Sequence, residues 1–385
     1  MRRTLVLPIL LATASTACTR PPDDQAVYDA MPRLALTPLA EVCAGRDDEP
    51  CQFVNAAVVA PAPDGRVAIA DMMGELREFG RDGGYLRTIG ARGGGPGEYR
   101  RLVTAGYDSS GGMTILDQAG LRVQRFDSTG ALLDATTAPL IPGLVGVAVA
   151  EGRVALLALP GADAVGDTVE AYAVLVDPAT GDTTTLPGAP EPAIATGDGT
   201  MFPIQPLFRV LPMERWAVSP DGAFHLGDRD RLRIVCRDAT GSPPRAIVDL
   251  AVAPRPVTAE DVEAELAKRG PLGPPPNAAV AAQLRRQLDE AAANAATEHP
   301  FVSRLVILAD GTLLAREGTG AQADSTRWNA FAADGDPIGH LVLPAYARVA
   351  GGRLERLLVA TPGEDDVPRI AWCSAERAGS PAADR

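Results

Sequence analysis

A strand–turn–strand unit recurs along this chain, and its recurrence restricts the fold more than any other feature. The first copy reads GRVAIAD at 65–71, then LREFGRDG at 76–83. The second reads GGMTILD at 111–117, then RVQRFDSTG at 122–130. Each copy runs glycine, alternating apolar residues, aspartate, a short turn, a strand ending in phenylalanine and a glycine turn. Looser copies begin near residues 152, 216, 306 and 351. A period of about 45 residues is the mark of a propeller or solenoid. The short alternating strands and their Gly, Asp and Pro turns give four strands per copy. Six copies therefore predict an all-β fold, a six-bladed β-propeller over residues 33–385. A parallel β-helix fits less well, because its rungs are shorter than this period. Residues 33–36, Arg-Leu-Ala-Leu, precede the first blade and are expected to supply the outer strand of the last one, covering an open edge.

One stretch breaks the pattern. Thr258 is placed to cap a helix carrying Val262 and Leu266, with Asp261 and Glu263 near its positive end. The run 270–276, GPLGPPP, stops that helix. Asn277 can cap a second, with Val280, Leu284 and Leu288 at four-residue spacing. Residues 258–298 thus read as a helical hairpin inserted between blades four and five. It is either decoration on the propeller or a lid over its channel.

The N-terminus reads as an address. Arg2 and Arg3 precede a short apolar run interrupted by Pro8, then Ala14-Ser15-Thr16-Ala17 and Cys18. The run is too short to span a bilayer. It resembles a bacterial lipoprotein signal, which implies cleavage after residue 17 and a lipid on Cys18. The family's usual leucine three residues before the cysteine is Ser15 here, and ordinary signal cleavage after Ala17 fits too. Residues 1–17 are thus expected to be a signal peptide and 18–32 a tether, with the protein in the cell envelope, touching the membrane only through its anchor. The formal net charge of −13 repels phosphate backbones, so nucleic acid is not an expected partner. Cys43 and Cys51 bracket a polar turn and are expected to form a disulfide in an oxidising compartment. Cys236 and Cys373 lie in apolar runs and read as buried thiols.

Motifs for chemistry are scarce. The chain has no Gly-x-Ser-x-Gly, no Walker loop and no His-Glu-x-x-His, and its three histidines are far apart. No catalytic or metal-ligating residue is assigned. Asp71, Asp117 and Asp228 end equivalent strands, and Arg77, Arg125 and Arg233 follow in the next ones. Such aspartates either ring a channel and hold a cation or cap the adjacent turns, and the arginines can pair with them. The glycine-rich run at 92–99, Arg-Gly-Gly-Gly-Pro-Gly-Glu-Tyr, offers either an anion nest or a tight crossing between blades. In the crossing reading Arg92 and Glu98 pair or bond backbone, and Tyr99 packs into the next blade. Candidate ligand-binding residues are therefore Asp71, Arg77, Arg92, Asp117 and Asp228.

The segment 89–99, IGARGGGPGEY, resembles the crossing after the first blade in bacterial exported six-bladed propellers of the NHL-like kind. The resemblance spans the mature chain, although only this crossing is specific. It implies the same fold, with lipoprotein signals and helical insertions common among members, and it implies no particular activity. The expected function is a binding module for a small molecule or an envelope protein, without a cofactor. The competing expectation is a calcium-dependent enzyme of the lactonase or lyase kind, with a Ca²⁺ ion in the channel and one carboxylate base.

Overall fold

The computed structural model describes residues 23–45, 48–53, 56–71, 74–141, 144–158, 168–192, 212–238, 243–269, 277–319, 323–363 and 368–377. Arg2, Arg3 and Cys18 lie outside them. Six four-stranded antiparallel sheets form the six blades. The strands of each blade are called A to D from the axis outward. Blade 1 comprises Ala56–Pro61, Val67–Asp71, Leu76–Phe79 and Tyr85–Ile89; blade 2, Leu102–Tyr107, Met113–Asp117, Arg122–Phe126 and Leu132–Thr137. Blade 3 comprises Leu144–Ala150, Arg153–Ala158, Thr168–Val176 and Thr183–Pro192; blade 4, Trp216–Val218, Phe224–Gly227, Leu232–Arg237 and Arg245–Leu250. Blade 5 comprises Arg304–Ile307, Leu313–Arg316, Ser325–Phe331 and Pro337–Pro344. Blade 6 has Arg348–Arg353, Arg356–Pro362 and Pro368–Arg377. Its D strand is Leu34–Glu41, from the other end of the chain, paired from Leu34–Arg377 to Glu41–Ala371. The A strands of successive blades touch all the way round, sixth to first, so the ring is closed. The repeat seen in the sequence is the B–C pair.

Burial explains why B strands carry the clearest pattern. Each is covered by neighbouring blades on both faces. Val67, Ala68, Ile69 and Ala70 have no exposed surface, and Met113–Asp117 is buried throughout. The D strands lie at the rim and alternate, as Leu132–Thr137 does between half-buried and exposed. Trp328 and Trp372 fill gaps between blades, and the rest of the core is largely Val, Leu, Ile and Ala.

Part of the expected tether is folded. Helix α1, Asp24–Asp29, is capped by Asp23, and Asp24 and Gln25 accept the amides of Ala251 and Ala253 beyond blade 4. Tyr28 donates to Glu317 and lies under the Arg327 guanidinium, 4.0 Å from its ring centre. Met31 enters the core between blades 4 and 5. This segment lines up the closing strand.

A short helix α2, Pro212–Arg215, leads into blade 4. The insertion falls where the sequence places it, as α3 (Ala259–Arg269) and α4 (Ala278–Ala293). Thr258 and Asp261 form a reciprocal cap, and Asn277 accepts the Val280 amide at 2.9 Å. The hairpin's two ends meet: Pro256 bridges Glu298, and Val257 donates to Thr297. Among its described helical residues only Ala291 is buried, so it contributes little to the core. Cys43 and Cys51 form the expected disulfide, their Cα atoms 5.5 Å apart. Cys373 is buried, but Cys236 is only half-buried, near the end of its C strand, where burial falls away from Val235 to Arg237.

Candidate functional site

The propeller has two mouths. At the end where A strands finish, a cavity of about 270 Å³ is lined by small apolar residues such as Ala60, Ala105, Val149 and Ala350, with Glu151, Arg353 and Arg356 at its edge. At the end where A strands begin, a cavity of about 800 Å³ is lined by Glu214, Arg304, Arg316, Tyr346, Arg348 and Thr361, among others. The larger mouth holds the chemistry.

The blade ladder places these arginines. Arg304 opens strand A of blade 5 and Arg316 closes strand B, and the two are direct cross-strand partners. The same rung is Ala56–Asp71 in blade 1 and Leu102–Asp117 in blade 2. Arg348 opens strand A of blade 6, opposite Ala360. Like charges opposed across two strands destabilise a sheet. Arg316 donates to the Ala345 carbonyl at 2.6 Å, in the crossing from blade 5 to blade 6, and its Nε is buried without a partner. Among the described residues neither the Arg304 nor the Arg348 side chain has a hydrogen bond or an ion pair. Burial holds the Arg304 guanidinium below its ordinary pKa; Glu214 opposes the shift, and Arg348 and Arg316 add to it. Arg316 is lowered in the same way, with Glu214 opposing and Arg348 adding. An arginine keeps its proton under these conditions. The mouth is therefore a concentration of positive charge with one exposed carboxylate, Glu214, as its counterweight.

A neighbouring cleft of about 860 Å³ adjoins it, sharing Ala345, Tyr346, Thr361 and Pro362 and adding Lys268, Asp324 and Arg369. Lys268 stands near the end of α3, its ammonium 5.3 Å from the Tyr346 ring centre. The insertion thus reaches the rim of this mouth.

The residues singled out in the sequence sit elsewhere and do other work. Asp117 is fully buried; it accepts the amides of Arg100 and Arg101 and faces Arg122 at 3.5 Å. Asp228 accepts the Asp230 amide and shapes its own turn. Asp71 ends strand B of blade 1, one strand out from the channel wall. None of the three lines either cavity, and Asp117 and Asp228 are taken up by backbone amides. Arg77 donates to the carbonyls of Glu49, Pro50 and Gln52 and holds the disulfide loop. Arg125 and Arg233 pair with Asp134 and Asp249, across to the D strands, and not with the aspartates expected. Arg92 is exposed, and the Glu98 carboxylate takes the Gly95 amide. Among the described residues no three or more His, Cys, Asp or Glu gather to hold a metal ion.

The glycine-rich run is a crossing. Arg122 donates to the carbonyls of Gly94, Gly95 and Glu98, and Gln124 binds both the Gly97 amide and the Glu98 carbonyl. The buried Tyr99 hydroxyl accepts from the Leu76 amide and donates to the Ile89 carbonyl. Gly90 has φ +68°, and a Cβ there would stand 2.6 Å from the Gly97 carbonyl oxygen.

No arginine of the mouth was legible as a site residue. The available signal was weak: Arg304 and Arg348 each stand just before a short apolar run, at the first residue of an A strand.

No family model and no curated protein sequence matches the chain. Solved structures resemble it in fold. A Bacteroides fragilis protein named as exported is 11% identical with a TM-score of 0.50, over 88% of this chain and 94% of that one. A DUF4221-family protein of Bacteroides vulgatus is 10% identical with a TM-score of 0.50, over 90% and 99%. Regucalcin of Agrobacterium tumefaciens, a calcium-binding protein, is 13% identical over 90% and 96%, and at a TM-score of 0.41 it bears on nothing further. The chain is a six-bladed β-propeller.

Proposed function

We propose that this chain is an exported propeller of the NHL-like kind, anchored through lipid on Cys18, that binds a small-molecule ligand in the mouth where the A strands begin. The observation that carries the reading is the cavity of about 800 Å³ there, into which two adjacent blades direct Arg304 and Arg348, whose side chains have no hydrogen bond or ion pair among the described residues. A concave site with a few convergent polar groups is the usual form of a small-molecule site. Arginines position and hold without exchanging protons, and Glu214 is the one described carboxylate beside them, so binding fits this mouth better than paired acid–base chemistry. Export is supported by the sequence of the first 18 residues and by the Cys43–Cys51 disulfide, a bond that persists in oxidising compartments.

Two experiments test the reading. Mass spectrometry of the protein from a bacterial membrane is expected to give a mature N-terminus at Cys18 carrying a diacylglyceryl group. An unmodified Cys18 on a soluble mature chain rejects the anchor. A crystallographic screen with neutral, anionic and cationic fragments is expected to seat fragments against Tyr346 and Thr361. If no fragment of any charge enters this mouth, the binding site lies elsewhere.

A further inference from the structure

We infer that the ligand of this mouth is a small organic anion, a carboxylate or phosphate compound with at least two negative charges. The inference rests on the proposed binding site and adds the chemistry of what fills it. Three observations lead to it. Arg304 and Arg316 face each other directly across two strands, and Glu214 is the one described carboxylate that offsets their charge. Arg348 on the next blade faces the same cavity, and one exposed carboxylate, Glu214, is the only acid lining it among the described residues. The chain as a whole carries −13, so a local excess of cations runs against its composition. The solvation that burial takes from the Arg304 guanidinium is only partly made good by Glu214. A bound oxyanion would supply it, because guanidinium forks match the two oxygens of a carboxylate or phosphate.

The neighbouring cleft sets the size. It continues from the arginine cavity past Tyr346 to Lys268 and Arg369, with Asp324 beside them, so a ligand with charge at both ends meets two cations and one carboxylate at the far end. Tyr346 is 63% exposed between them and offers a ring for the middle of the ligand to stack on.

Isothermal titration of the folded chain tests this with citrate, pyrophosphate, glucose 6-phosphate and glucose at matched ionic strength. Saturable one-to-one binding of at least one anion and none of glucose is expected. Which anions bind separates carboxylate from phosphate. Arg304→Gln and Arg348→Gln should each weaken the binding about ten- to a hundredfold, the usual worth of a charge-assisted hydrogen bond. Arg353→Gln, at the opposite mouth, should leave it unchanged, and melting curves confirm that all three variants fold. The inference is overturned if none of the three anions binds, or if binding survives both mouth variants. A neutral fragment seated in the mouth without any anion binding sinks the anion and leaves the binding site standing. An empty mouth in the fragment screen together with a bound anion elsewhere sinks the site itself.

Discussion

The crossing from blade 1 to blade 2 and the crossing from blade 5 to blade 6 occupy the same face of the ring, and they are built on opposite terms. In the former, each polar group invoked has a partner inside the fold: Arg122 meets three carbonyls, Gln124 closes on an amide and a carbonyl, and Tyr99 bonds twice. In the latter, Arg316 meets one carbonyl, while the Arg304 and Arg348 side chains meet none among the described residues. The glycine-rich crossing stands out in the sequence and uses its polar groups inside the fold. The arginine crossing is inconspicuous in the sequence and lines the larger cavity. A glycine-rich motif reports where the backbone is confined. Charge without a partner reports where a ligand can be held.

The contrast is tested most strongly at Arg122. Removing it leaves Asp117 buried and three carbonyls short of a donor, so Arg122→Ala should destabilise by ~3–5 kcal/mol in chemical denaturation. A loss below about 1 kcal/mol would mean the crossing is not held from blade 2. Next come the glycines. Gly90→Val meets both a left-handed φ and the Gly97 carbonyl, and should cost ~3 kcal/mol or more. Gly97→Val, at φ +77° with open space around it, should cost ~1–3 kcal/mol. Gly95→Val should cost less, since its φ is ordinary and only the Glu98 carboxylate stands near. Equal costs at the three positions would mean that something other than backbone confinement sets them.

Smaller effects are expected at the open crossing. Replacing residues 258–298 by a short Gly/Ser linker should leave one cooperative unfolding transition, because the flanks that remain already meet, His299 donating its amide to the Arg255 carbonyl. If α3 is a working wall of the mouth, the deletion changes anion affinity and spares the melt. A lost cooperative transition would make the hairpin part of the core. The smallest change is expected at Arg304→Gln, between no effect and a gain of ~1 kcal/mol, since it relieves a repulsion the fold tolerates. A clear loss of stability there would show that Arg304 holds the propeller together, and the contrast between the two crossings would fail.

Much of the fold was legible in residues 65–83 and 111–130. Strands buried on both faces must be apolar and their turns must bend tightly, so each copy repeats. The insertion was legible for a similar local reason, since Thr258 and Asn277 announce their helices through bonds within a few residues. The disulfide was legible because its cysteines stand only eight positions apart. The tether was misjudged at α1, whose few apolar residues matter only against partners such as Glu317 and Arg327, nearly 300 residues away. The aspartates misled because an Asp closing a strand reads the same whether it meets a cation or a backbone amide.

The sequence by itself determined the number of blades, the closing strand, the insertion and the disulfide, because each depends on periodicity or on neighbours in the chain. Only the tertiary structure decided that Arg304, Arg316 and Arg348 share one cavity. Closing the ring sets blade 6 beside blade 5 and puts the first residues of their A strands at one mouth. Side-chain charge repels or attracts through space, and no local pattern records which charges the ring will leave unpaired.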